Sequence, residues 1–317
     1  MKKVLLTTTA LVMSAGFAAA EVSISGTAQT AISKTTTENN KLTTHVDMNM
    51  VVSGASDNGI TMSATIGYDG GQQVDAGDYE LDPVEASSTV TAGATNQAWT
   101  ATPSLTIGYA GYTITADGSG VADYYNGDKN SGKIGVAGAM GDLSFGVTSS
   151  IGAAAGQSKS SYKLSYAMGD ITATIVGTDN ADGNVGRDAT KATLAYKMGD
   201  TTFTVSSDDQ DVATLETITS VGVSTKMDAV TVSYTAKNNR NLNSSIGDEW
   251  DASVSYTAGA LTASYGTDED SVSKISASYD LGGGANLFAV MRAGTETKRD
   301  NTTADKDFTA VGINFAF

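Results

Sequence analysis

Runs of about ten residues in which apolar and polar side chains alternate, punctuated by a recurring short turn, constrain this 317-residue chain more than any other feature. Val46, Met48, Met50 and Val52 fall on one parity, and His45, Asp47 and Asn49 on the other. A period of two is the period of a strand and cannot arise from helical spacing. The pattern returns at Ile60, Met62, Ala64, Ile66 and Tyr68, at Tyr162, Leu164 and Tyr166, and at Ala192, Leu194 and Tyr196. It continues at Phe203 and Val205, at Val230, Val232 and Tyr234, at Trp250, Ala252, Val254 and Tyr256, and at Ile275, Ala277 and Tyr279. The chain closes the same way, with Val311, Ile313, Phe315 and Phe317.

The strands are joined by a repeated turn signal. AMGD occurs at 139–142 and 167–170, KMGD at 197–200, KMDA at 226–229, TAGA at 257–260 and DLGGG at 280–284. Met140, Met168, Met198 and Met227 lie 28, 30 and 29 residues apart. That spacing holds one tight turn, two strands of about ten residues and one longer loop, the rhythm of a hairpin array. The longer connections are polar and acidic: Asp179–Arg187, Asp208–Glu216, Lys237–Asp248 and Thr295–Asp307.

Which face carries charge decides what surrounds the strands. On these strands the apolar parity has no Asp, Glu, Lys or Arg, whereas the other parity carries Asp47, Lys163, Lys191, Asp251 and Lys274. A soluble β-sandwich would fill its inner face with bulky Leu, Ile and Phe and lace its outer face with salt bridges. Here the apolar face mixes in Ala, Gly and Thr, and the polar face is mostly Ser and Thr. A charge at the bilayer midplane costs about 2–4 kcal/mol, so contact with lipid explains the exclusion.

The turns set the size. Candidates at Ser56–Gly59 and Tyr109–Gly111 join the six repeats to make eight, hence nine hairpins and 18 strands with both termini on the turn side. Eighteen strands of about 11 residues would occupy roughly 198 residues of the mature chain. The weakest assignments flank Tyr109 and the last hairpin, where Leu287, Ala289 and Met291 compete with Phe288, Val290 and Arg292 for the lipid side, so 16 strands stay open. Tyr109, Tyr166, Tyr196, Tyr256 and Tyr279 stand at or just before short turns, the level of an interfacial aromatic girdle. The fold class is therefore all-β, an antiparallel transmembrane β-barrel of 16–18 strands.

Composition removes other classes. Cysteine is absent and histidine occurs once, which removes thiolate chemistry and the usual multi-histidine metal centres. A formal charge of −16 opposes nucleic-acid binding. Lys2 and Lys3, the largely apolar Val4–Phe17 and the Ala18–Ala20 site before Glu21 read as a cleaved export signal, residues 1–20. The mature chain, residues 21–317, forms a single barrel domain with 17 bases against 35 acids, or −18.

The opening EVSISGTAQTAIS from Glu21, VVSGASDNGITMSATIGYD over 51–69, SASYDLGGGANLF from Ser276 and the closing GINFAF resemble the general porins of Gram-negative bacteria, most closely the alphaproteobacterial group. The resemblance covers both ends, while the middle matches in rhythm. It implies a homotrimer of 16-stranded barrels in outer-membrane lipid and lipopolysaccharide, an inward-folded third loop, and a C-terminal Phe read by the barrel-assembly machinery, here Phe317. The segment after the Tyr112–Asp117 strand, Gly118–Gly132, is short for such a loop, and Gly70–Thr102 is longer; in the family the loop in the latter position reaches across to a neighbouring subunit.

The function expected is passive diffusion of ions and small hydrophilic solutes, with a moderate cation preference and no enzymatic activity. Candidate constriction acids are Asp123 and Asp128, and candidate basic residues of the wall are Lys133, Lys163, Lys191 and Lys274. The longer loop offers Asp75, Asp78, Glu80, Asp82 and Glu85, of which Asp75, Asp78 and Glu80 have the oxygen ligands calcium takes, though such acids are more often simply hydrated. No other cofactor is indicated. Competing readings are a non-conducting structural or adhesive barrel, and a barrel enzyme using His45 beside Asp47, against which stands the lack of a nucleophile elbow.

Overall fold

The computed structural model describes residues 17–36, 40–74, 98–99, 103–127, 132–151, 159–180, 188–210, 217–238, 249–297, 303–305 and 307–317. Every regular element among them is a strand. The first third contains β1 (Phe17–Thr35), β2 (Lys41–Ser56), β3 (Thr61–Gly71), β4 (Ala98–Trp99), β5 (Ser104–Tyr109), β6 (Tyr112–Val121) and β7 (Gly132–Met140). Then come β8 (Leu143–Ser149), β9 (Lys159–Met168), β10 (Ile171–Asn180), β11 (Ala189–Met198), β12 (Thr201–Gln210), β13 (Ile218–Met227) and β14 (Val230–Lys237). The last third holds β15 (Glu249–Ala258), β16 (Leu261–Asp268), β17 (Ser273–Gly282), β18 (Ala285–Ala293), β19 (Thr295–Thr297), β20 (Thr303–Asp305) and β21 (Phe308–Ala316).

The wall strands pair antiparallel in chain order, β18 pairs directly with β21, and β1 pairs with both β2 and β21, so the sheet closes on itself. β4 and β5 both pair with β3, on its upper and lower halves, and form one interrupted wall strand. β19 and β20 make a separate small hairpin inside the last loop. The barrel thus has 18 strands, the number the turns give and two more than the resemblance implies. Closure removes the open edges that lipid cannot satisfy.

The eight tight turns fall where the six repeats and the two further candidates place them. Gly141, Gly169, Gly199 and Gly259 have φ near +60° at the first central position, the requirement of a type II′ hairpin turn, and Asp228 takes the same conformation at φ 55°. β6 runs to Val121, four residues beyond the expected Asp117, because its ladder with β7 shifts between Ala116 and Val121 and the positive-φ Gly120 lies within the irregularity. The strands also reach further into the expected loops, so Asp179 belongs to β10 and Asp208 to β12.

Outward positions are the exposed apolar ones: Ile24, Leu42, Val46, Leu105, Leu164, Ile175, Leu194, Val232, Val254 and Ile275 all exceed a third exposure. Charges on this face among the described residues are confined to strand ends away from the short turns, at Lys34, Asp179 and Asp209. Tyr109, Tyr166, Tyr196, Tyr256 and Tyr279 are exposed beside the turns, as a girdle requires. In the last hairpin Leu287, Ala289 and Met291 take the lipid side, and Phe288, Val290 and Arg292 face inward.

Candidate functional site

The inner wall is built from the polar parity, and its serines and threonines bond one another across the ladder. Thr148 and Ser161 meet at 2.6 Å, Ser165 and Thr174 at 2.9 Å, Ser233 and Ser253 at 2.6 Å, and Ser264 and Ser276 at 2.6 Å. Paired hydroxyls satisfy each other and still present a hydrophilic surface.

Onto this wall folds the short loop after β6. Asp123 Oδ1 accepts the backbone N–H of Tyr125 at 2.7 Å and of Asn126 at 3.4 Å, while its Oδ2 accepts the Thr178 hydroxyl of β10 at 2.9 Å. The Tyr124 N–H donates to Ser161 Oγ of β9 at 3.0 Å, and the Tyr124 ring occupies the space that a Cβ on Gly146 of β8 would fill. The Tyr125 hydroxyl donates to Asp208 Oδ1 of β12 at 2.7 Å. All four partners lie on inward positions, so residues 121–127 run inside the barrel, away from their own root toward β12. Tyr124, Tyr125 and Asp208 are the site residues that sequence reasoning missed. The only local signal was a pair of aromatics in a glycine-bounded loop, with glycine at an inward position of β8.

The expected wall lysines distribute as follows. Lys163 and Lys191 occupy inward positions of β9 and β11, and Lys191 stands directly opposite Asp208. Lys274 is inward on β17, opposite Arg292 of β18. Lys133 lies in β7, with its side chain outside the described residues, as is the whole of Asp128. Among the described residues the Asp123 carboxylate bonds Thr178 and the backbone of its own loop instead of a wall lysine.

The long loop after β3 also begins inside. The Gln72 N–H donates to the Thr44 carbonyl at 2.8 Å, and the Gln29 amide of β1 bonds both backbone groups of Val74, at 2.9 and 2.5 Å. Val74 is buried with Ala31, Val290, Phe308 and Ala310, with Phe288 packed against them. The inward apolar residues of the last hairpin are thus covered by this loop root, which is why they break the parity of the rest of the wall. Asp75, Asp78, Glu80, Asp82 and Glu85 fall outside the described residues; among those described no group of three acids, histidines or cysteines is arranged to hold a metal. His45 Nε2 bonds Asp69 Oδ1 at 2.6 Å, so its partner is on the neighbouring strand and not Asp47, whose Oδ1 accepts the Asn49 amide at 3.4 Å.

Hydrogen bonds to a charged acceptor are worth about 1.5–3 kcal/mol each. Removing two of the pins in the double variant Thr178→Val, Tyr125→Phe is therefore expected to speed amide exchange over Tyr124–Gly127 by at least about tenfold. Hydrogen–deuterium exchange of the folded barrel checks this, and unchanged protection would show that the loop is held elsewhere.

A sequence model described as Gram-negative porin matches residues 7–317 of the chain. No curated protein matches the sequence. Among solved structures, a triple mutant of the Rhodopseudomonas blastica porin is similar at 15% identity and a TM-score of 0.56, covering 93% of this chain and 100% of that one. A second mutant of the same porin gives 14% identity and a TM-score of 0.57 with the same coverage. A third structure, from work on the asymmetric conductivity of engineered proteins, is 15% identical with a TM-score of 0.56, over 94% of this chain and 100% of its own. At such identities the structural likeness speaks for the fold, and the sequence match across nearly the whole chain adds descent: a closed barrel with a lipid-facing exterior, a hydroxyl-lined interior and a loop folded within it, this chain belongs to the Gram-negative porin family.

Proposed function

We propose that this outer-membrane porin is a passive channel for ions and small hydrophilic solutes with a moderate preference for cations. The observation that carries the reading is the closed 18-stranded wall with hydroxyl and charged side chains directed inward. Barrels of 16–18 strands are wide enough to leave an aqueous lumen. The loop Gly118–Gly132, whose described part lies along that wall, is the proposed constriction, with Asp123 and Asp128 as its acids and Lys133, Lys163, Lys191 and Lys274 as the bases of the wall.

The sign of the preference comes from the balance of 35 acids against 17 bases in the mature chain. A negative potential at the mouth reaches about 10 Å into solution at 0.1 M salt and enriches cations there. Inward lysines weaken the preference and leave anions some passage. Removal of residues 1–20 as an export signal, assembly as a homotrimer among lipopolysaccharide, and recognition of Phe317 by the barrel-assembly machinery complete the proposal.

Protein purified from outer membranes and reconstituted in planar bilayers is expected to give stepwise currents. In a salt gradient the reversal potential should carry the cation sign and shrink as ionic strength rises. No current would favour a structural or adhesive barrel, and an anion-signed potential would defeat the electrostatic part.

A further inference from the structure

Inward positions of the wall carry both signs of charge: Asp47, Asp69 and Asp117 on β2, β3 and β6, Lys163 and Lys191 on β9 and β11, and Asp208 on β12 opposite Lys191. Two carboxylates near the lumen are placed very differently. Asp123 has both oxygens engaged by the Thr178 hydroxyl and by the N–H groups of its own loop, so its chemistry is that of a clamp. Asp69 presents a side chain 76% exposed on the lumen side of β3 and is gripped at Oδ1 by His45, itself only 8% exposed.

Burying an imidazole is unfavourable unless its nitrogen is hydrogen-bonded, so the pair secures both residues. It is further confined by the loop root, since Val74 is bound to Gln29, the residue directly opposite His45 on β1. A carboxylate fixed in direction on a rigid strand acts on passing ions more strongly than one that swings in solvent, because its position costs no reorganisation.

We infer that Asp69, oriented by His45, is a selectivity-determining carboxylate of the pore, and that Asp123 is a positioning residue for the loop. The inference rests on the channel reading above and adds to the acids of the mouth a carboxylate fixed on a strand of the wall. The test is the reversal potential of single variants in planar bilayers, at one pH and one salt gradient. Asp69→Asn, which keeps the shape of the side chain, is expected to lower the cation-to-anion permeability ratio about two- to threefold. Asp69→Glu should restore most of it, and Asp57→Asn, which removes one charge from a short turn outside the wall, should leave the ratio at the parent value.

His45→Asn tests the positioning role. It should lower the ratio less than Asp69→Asn does, and should add nothing in the Asp69→Asn background, a coupling that a purely structural histidine would not show. A conducting Asp69→Asn protein with the parent ratio overturns the inference alone. Absence of current in the parent protein overturns the channel reading, and the inference with it.

Discussion

Leu164→Arg is expected to destabilise the folded barrel by about 2–4 kcal/mol, while Ser165→Arg, one residue along the same strand, is tolerated. Leu164 stands in the middle of β9 with 45% of its surface open to the surroundings, paired with Phe145 and Ile175. Ser165 turns to the other face, where its hydroxyl meets Thr174 at 2.9 Å. An arginine at the first position must enter hydrocarbon or drag water with it; at the second it enters the polar interior. Folding in detergent or lipid vesicles, followed by denaturant titration, reads the difference. Equal losses from the two substitutions would break the assignment of faces on which the whole architecture rests.

Removal of Phe317 is expected to reduce folded, heat-modifiable barrel in the outer membrane severalfold or more. Gly26 and Phe317 exchange two backbone hydrogen bonds, each 3.0 Å long, and the Phe317 ring lies in the space that a side chain at Gly26 would need. The two bonds alone are worth roughly 2 kcal/mol, and in lipid there is no water to replace them. Gly26→Val tests the seam with the C-terminus intact: it should also impair closure, because the new methyl groups meet the Phe317 ring and the Asp47 carbonyl. Normal amounts of folded protein after the deletion would remove Phe317 from assembly, and normal folding of Gly26→Val would separate the seam from it.

Strand parity, turn positions and strand number were legible in the sequence because each is a local consequence of lipid on one side and of a short turn motif, with glycine in every turn but that at Asp228. Leu164 against Lys163, or Gly199 after Met198, needs no knowledge of distant residues. Where tertiary contacts decide, the sequence was silent or misleading. Asp208 looks like a loop acid, yet a carboxylate on the lumen side remains solvated and can stay in a strand, where Tyr125 finds it from 83 residues away. Phe288 and Val290 violate the outward rule because Val74, far away in sequence, covers them. His45 invites pairing with Asp47, two residues on, but residues two apart on a strand are neighbours on one face, and the carboxylate that reaches its ring is Asp69 across the ladder. The short loop showed its charges in the sequence and hid its pins.

The pairing of β1 with β21 has a meaning in time as well as in space. Every other wall contact joins wall strands consecutive in chain order, so hairpins can form as soon as their two strands are available. The ring, in contrast, closes through partners such as Thr27 and Ala316, about 290 residues apart. In loop entropy this closure costs only about 2 kcal/mol more than a 30-residue hairpin, since the cost grows with the logarithm of length. The penalty is kinetic: β1 must wait with one unpaired edge until the last residues have arrived. An exported chain built this way cannot complete its fold during translocation, and its first strand needs protection from wrong partners for the whole of that interval.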